Sequence, residues 1–177
     1  LARDPQMRER RRAIITAPAS VRSVGEAVMA ADRLLETAKA QADAQVSERN
    51  AREKAELMRQ LGMDEGESAT KASRTMIRQL EEDQKRRSKR ALTDAIDRAL
   101  IDLLAIYRDV LMVQVGGDGE LINTDLSDLV HEIAQDSAPR QTLARVDHIE
   151  TARKRLVSNG NPLLVLEDMA ISLRPQA

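Results

Sequence analysis

Between Ser23 and Leu61 the chain holds no proline and a single glycine, Gly25, and between Ala72 and Val113 it holds neither. These two residues are what most readily break a helix, so long stretches without them, filled with Ala, Leu, Glu and Arg, predict two long helices. Ser23 and Glu26 stand in Ser-x-x-Glu order, a capping box that opens the first helix, although Ser20 is a second possible start. Gly62 ends it, and Met63-Asp64-Glu65-Gly66-Glu67-Ser68 reads as a connection before the second helix. The first helix has an Ala-rich, thinly apolar middle. The second begins polar and ends strongly patterned: Leu92, Ile96, Ala99, Leu103, Tyr107 and Val110 recur at spacings of three and four, with Leu100, Leu104 and Leu111 beside them.

Ahead of these, Asp4-Pro5 caps a short basic helix that runs to about Thr16 and stops before Pro18. Behind them, Gly116-Gly117-Asp118-Gly119 breaks the chain and three shorter helices follow. The first spans about Thr124–Gln135, with Leu126, Leu129, Val130 and Ile133 on one side. The next opens at Pro139, carries Leu143, Val146, Ile149 and Leu156 on its expected buried face, and ends at Asn159-Gly160. Asn161-Pro162 caps the last, with Leu163, Leu166, Met169, Ala170 and Leu173 at helical spacing. The expected architecture is all-α, a helical bundle with a pair of long antiparallel helices. Its expected core sets Leu100, Leu103, Leu104, Tyr107 and Leu111 against Leu143, Val146, Ile149, Leu156, Leu163, Leu166 and Met169. The expected divisions are 1–18, a linker helix; 19–115, a long helical hairpin; and 116–177, the C-terminal helices.

Composition narrows the function. Hydrophobic residues are 42% of 177, enough for a core, but aromatics are 1%, with Tyr107 alone, so that core is aliphatic and no platform for base stacking exists. The absence of cysteine removes disulfides, thiolate zinc sites and cysteine nucleophiles, and fits a reducing compartment. No apolar run approaches the roughly 20 residues that span a bilayer, so no membrane role and a cytoplasmic location are expected. Leu1 in place of an initiating methionine reads as the cut end of a longer polypeptide. Charge is unevenly placed: residues 1–90 carry 20 Lys+Arg against 15 Asp+Glu, and residues 91–177 carry 8 against 14. The densest basic runs are Arg10, Arg11 and Arg12, and Lys85, Arg86, Arg87, Lys89 and Arg90. They are either contacts for nucleic-acid phosphates or a solvated face paired with Glu81, Glu82 and Asp83, the latter being the usual behaviour of charge runs.

Catalytic patterns are missing. His131-Glu132 has no second histidine four residues on, and His148 lies on another predicted helix, so a zinc-protease motif fails. The loop Gly116–Glu120 lacks the alternating ligands of a calcium loop. Neither a phosphate-cradling glycine loop nor a Gly-x-Ser-x-Gly elbow occurs. Glu167 and Asp168, being adjacent, point to different sides of a helix. No catalytic residue, cofactor or metal is expected in this stretch, and partner binding is the default class of function. A helical scaffold or a nucleic-acid-binding module remains an alternative; neither long helix sustains a clean heptad.

One resemblance is specific enough to state. Tyr107-Arg108-Asp109-Val110-Leu111 at the end of a Leu-rich helix, then Ile149-Glu150-Thr151-Ala152-Arg153-Lys154-Arg155-Leu156, then Asn159-Gly160-Asn161-Pro162-Leu163-Leu164-Val165-Leu166-Glu167, resembles the collar domain of bacterial DNA polymerase III clamp-loader subunits. Within that family the pattern is most similar to the delta-prime branch of high-GC Gram-positive bacteria, most specifically over residues 91–173. The resemblance implies an oligomerisation domain, with residues 1–18 as the tail of an AAA+ lid. It implies partners in the gamma/tau and delta subunits, and, through the full complex, the sliding clamp and primed DNA. It carries over Arg108, Asn159, Asn161 and Glu167 as interface or structural positions, and it implies no ATP site here.

Overall fold

The computed structural model describes Arg12, Thr16 and residues 21–62, 70–117 and 119–174. Among these it contains five α-helices, one 3-10 turn and no strand: α1 (Val24–Gln60), α2 (Lys71–Gln114), the 3-10 turn (Thr124–Leu126), α3 (Ser127–Asp136), α4 (Pro139–Val157) and α5 (Pro162–Ser172). The all-α expectation holds. The short basic helix predicted before Pro18 lies outside the described residues, apart from Arg12 and Thr16, which are helical.

Local chemistry sets the helix ends. At the start of α1 the Ser23 Oγ accepts from the Glu26 amide at 3.1 Å, while the Glu26 carboxylate accepts from the amides of Ser23 at 3.2 Å and Arg22 at 2.7 Å. This is the predicted capping box, and those amide bonds hold the Glu26 carboxyl below its ordinary range. Thr70 serves α2 in the same way, its Oγ1 accepting from the Ser73 amide at 3.2 Å. Two helices close with the paired bonds of a Schellman turn. At the end of α2, Gly117 donates to the Met112 carbonyl and Gly116, at φ +67°, to that of Val113; at the end of α4, Gly160 donates to the Arg155 carbonyl and Asn159, at φ +63°, to that of Leu156. Asn161 then opens α5, its Oδ1 accepting from the amides of Leu163 and Leu164 at 3.0 and 3.4 Å.

Gly160 is confined by space. A β-carbon there would lie 2.8 Å from the Arg155 carbonyl oxygen and 2.9 Å from a Val165 methyl, whereas one at Gly25 would meet nothing nearer than 4.0 Å. Gly160→Ala is therefore expected to destabilise by about 1–3 kcal/mol. Gly25→Ala, in an open helical turn, should be neutral or stabilising by up to about 1 kcal/mol. Denaturant midpoints of the two variants check the contrast.

The chain divides into two compact units, Leu1–Thr37 with Ile96–Ala177, and Ala38–Ala95. In the second, α1 and α2 run antiparallel, because partner numbers fall along α2 as they rise along α1. Ala42 and Val46 pack with Ala91 and Leu92. Gln84 donates to the Asn50 carbonyl at 2.9 Å, Arg87 to Asn50 Oδ1 at 2.7 Å and Glu53 Oε2 at 2.8 Å, and Lys54 lies 3.6 Å from Glu81. Alanine lets two helix backbones approach but removes little apolar area from water, so polar ties do much of the joining here.

The first unit holds the larger core: Ile96, Leu100, Leu103, Ile106, Tyr107 and Val110 of α2, Val130 and Ile133 of α3, Ile149, Ala152 and Leu156 of α4, and Val165, Leu166, Met169 and Ala170 of α5 are buried. Most of the expected core is there, with Leu104, Leu111, Val146 and Leu163 half-buried. Leu143 is the correction. It is 50% exposed, because the inward face of α4 runs through Thr142, Arg145, Ile149, Ala152 and Leu156, and Leu143 stands one residue, or about 100°, off that line. Polar ties close the unit: Arg153 binds both oxygens of Asp97 at 2.7 and 3.2 Å, Arg155 pairs with Asp168, and Gln114 donates to the Ser137 carbonyl at 2.6 Å. The predicted Thr124–Gln135 helix begins instead as a 3-10 turn, with Leu126 donating to the Asn123 carbonyl, and becomes α-helical only at Ser127.

Candidate functional site

Three places in the fold carry the residues the sequence singles out. The first is the loop after α2. Asp109 is fully buried, and its carboxylate accepts from the Asn123 amide and Asn123 Nδ2, both at 2.8 Å, from the Ile122 amide at 3.2 Å and from Arg108 at 2.7 Å. Burial pushes its carboxyl up, but the bonds from Asn123, Ile122 and Arg108 together outweigh that and hold it below its ordinary value. Arg108 also reaches the Glu120 carbonyl at 3.2 Å, so it clamps the same loop from outside. Asp109 was not among the sequence candidates. Apart from the adjacent Arg108, its partners sit 13 and 14 residues away across a glycine-rich stretch, a separation that helical periodicity does not reveal.

The second is the α4–α5 joint. Asn159 supplies the left-handed residue and Asn161 the cap, so both fix the angle at which α5 leaves α4. Glu167 is half-buried on α5. Beside this joint two apolar side chains stand in water, Val157 at 77% exposed and Leu164 at 63%, and Leu143, 50% exposed, lies about four turns back along α4. Leu143 and Val157, fourteen residues apart, lie on one outer face of α4.

The third is the basic run of α2. Arg86 pairs with Asp83 at 2.8 Å, and Arg87 is tied to Asn50 and Glu53, while Lys85, Lys89 and Arg90 are exposed. Arg10 and Arg11 lie outside the described residues; Arg12 is exposed. Glu81 and Glu82 pair with Lys54 and Arg78. The hydrogen bonds of Arg87, then of Arg49, lower the Glu53 carboxyl from 4.5 to about 2. Because the native value is depressed, its contribution is present above 4.5 and is lost as pH falls toward 2. Arg87→Gln should return the Glu53 titration, followed by carboxyl-carbon NMR, toward 4.5; an unmoved midpoint near 2 would contradict the pairing.

His131 and His148 are exposed, and His131 Nδ1 is 2.7 Å from the Ser127 carbonyl oxygen. Among the described residues no group of His, Asp and Glu side chains is placed to hold a metal ion, and no helix is long and apolar enough to cross a membrane.

Comparison with known proteins gives one partial likeness. Over 72 residues, 41% of this chain, the sequence is 35% identical to the DNA polymerase III subunit delta′ of Bacillus subtilis (strain 168). The chain spans 22% of that protein's length. No family model and no solved structure matches.

Proposed function

We propose that this chain is the collar-type assembly part of a clamp-loader subunit of the delta-prime kind. In this role it is non-catalytic and cytoplasmic. It holds gamma/tau and delta subunits together in the complex that places the sliding clamp on primed DNA, and it reaches clamp and DNA through that complex. The 35% identity to a delta′ subunit carries the reading. The helical first unit supports it, with an outer α4 face that leaves Leu143 and Val157 in water and with Leu164 of α5 also exposed. Large apolar side chains left in water along α4 and at the start of α5 fit a surface that another subunit covers. In the same reading residues 19–115 lead into the collar and residues 116–177 complete it, with Arg108, Asn159, Asn161 and Glu167 shaping the surface.

Size-exclusion chromatography of the chain mixed with the gamma/tau collar region, and separately with the delta subunit, tests this. Co-elution that survives moderate salt is expected. The double variant Leu143→Glu, Val157→Glu should abolish it while leaving the helical circular dichroism unchanged. A chain that ignores both subunits but binds primed DNA, with affinity falling steeply as salt rises, would overturn the proposal in favour of a nucleic-acid contact through Lys85 to Arg90.

A further inference from the structure

A cleft of about 540 Å³ lies between the first half of α4 and the end of α5, lined by Arg140, Gln141, Arg145, His148, Ser172 and Arg174, with Ala144 between them. Among the described residues no carboxylate lines it. Arg145 is the unusual member: it is 8% exposed, and its guanidinium makes no hydrogen bond or ion pair with any described residue. Its one recorded contact is the face of Tyr107, whose ring centre is 5.9 Å from the guanidinium carbon. Its nitrogens are not sealed from solvent, so they stay available at the cleft, and the ring face supplies only part of what an anionic partner would. Arg174 spends its Nε on the Ile171 carbonyl at 3.0 Å, which leaves its two terminal nitrogens uncommitted.

We propose that this cleft binds a phosphate monoester, with Arg145 as the central ligand and Arg140 and Arg174 closing on it from either wall. The charge decides the ligand class. Three guanidiniums with no lining acid overmatch a single carboxylate, which brings one negative charge. A dianionic phosphate brings about two, and its three terminal oxygens accept from several forked donors at once. A phosphodiester inside a nucleic-acid strand brings one charge and is flanked by sugars on both sides, which suits a recessed guanidinium poorly. Its burial against the Tyr107 ring restricts the Arg145 side chain in advance, so less ordering remains to be done when the ligand arrives.

Titration calorimetry on the whole 177-residue chain, at constant ionic strength, tests the site with inorganic phosphate, adenosine monophosphate and acetate. Saturable one-to-one binding of inorganic phosphate, with no acetate response, is expected. Tighter binding of adenosine monophosphate would identify a nucleotide rather than free phosphate as the source and would equally support the site. Arg145→Gln should weaken phosphate binding at least tenfold. Should that variant unfold, Arg174→Gln and Arg140→Gln, both outside the core, should each weaken it about threefold or more. Phosphate heats that never saturate, acetate binding as well as phosphate, or full affinity in all three variants would overturn the proposal.

Discussion

Replacing Asp109 with alanine is expected to destabilise the first unit by about 3–5 kcal/mol, the usual cost of removing one partner from a buried charged network. The change strands the buried amide and side chain of Asn123, which both point at that carboxylate, and removes the acceptor of the Ile122 amide. Arg108 loses its charged partner and keeps only the Glu120 carbonyl. For a chain of this size each kcal/mol moves the melting temperature by about 2–4 °C, so a drop of about 6–20 °C should be seen. Asp109→Asn should recover only part of it, because its amide nitrogen is a donor set among donors. Glu132→Ala, on the exposed side of α3, should change stability by less than about 0.5 kcal/mol. Acid provides a second readout. The native Asp109 carboxyl sits below its ordinary 3.8, so its contribution is whole above that pH and is lost as pH falls through the native value. The gap between wild type and Asp109→Ala should therefore narrow below pH 3.8. A variant that melts with the wild type would show that the loop is held by other means.

Tyr107→Ala should cost about as much, roughly 3–5 kcal/mol, for a different reason. Tyr107 is among the largest fully buried side chains, and in a core of aliphatic residues no neighbour can grow to fill the space it leaves. The substitution also removes the face under Arg145. Tyr107→Phe keeps the ring and should cost less than about 1.5 kcal/mol. As the only aromatic residue, Tyr107 reports on itself: burial pushes its hydroxyl up to about 12 despite the opposing pull of Arg145. Phenolate absorbance in a base titration should stay absent until that range, or until the unit unfolds. Equal stability of Tyr107→Ala and wild type by chemical denaturation would contradict this packing.

Much of the fold was legible because it rests on local rules. Ser23 with Glu26, Pro139, and Asn161 with Pro162 mark helix starts through groups within three residues of one another, and Gly62, Gly116 and Asn159 mark ends through backbone geometry. The stripe from Ile96 to Val110 has one dominant periodicity and lies where that periodicity puts it. Tertiary context defeated the same reasoning on α4. Thr142 and Arg145 look like solvent residues in a sequence, but the helix turns them inward, where the Ala138 carbonyl and the Tyr107 ring receive them, and Leu143 is turned out. Asp109 was hidden for the same reason, as a charge inside an apolar stripe whose partners lie beyond the turn. The joining of the two helices in the second unit was also only half visible, since Ala42 and Ala91 carry too little hydrophobicity to stand out. The surface around Leu143, Val157 and Leu164 could not have been read at all, because exposure is a property of the folded unit.

The assembly account is tested most directly by hydrogen exchange of the chain alone and mixed with the gamma/tau and delta subunits. It predicts added protection of amides in α4 and α5, around Leu143, Val157 and Leu164, when either subunit is present. Unchanged exchange there, with protection appearing only around Lys85 to Arg90 on addition of primed DNA, would contradict it.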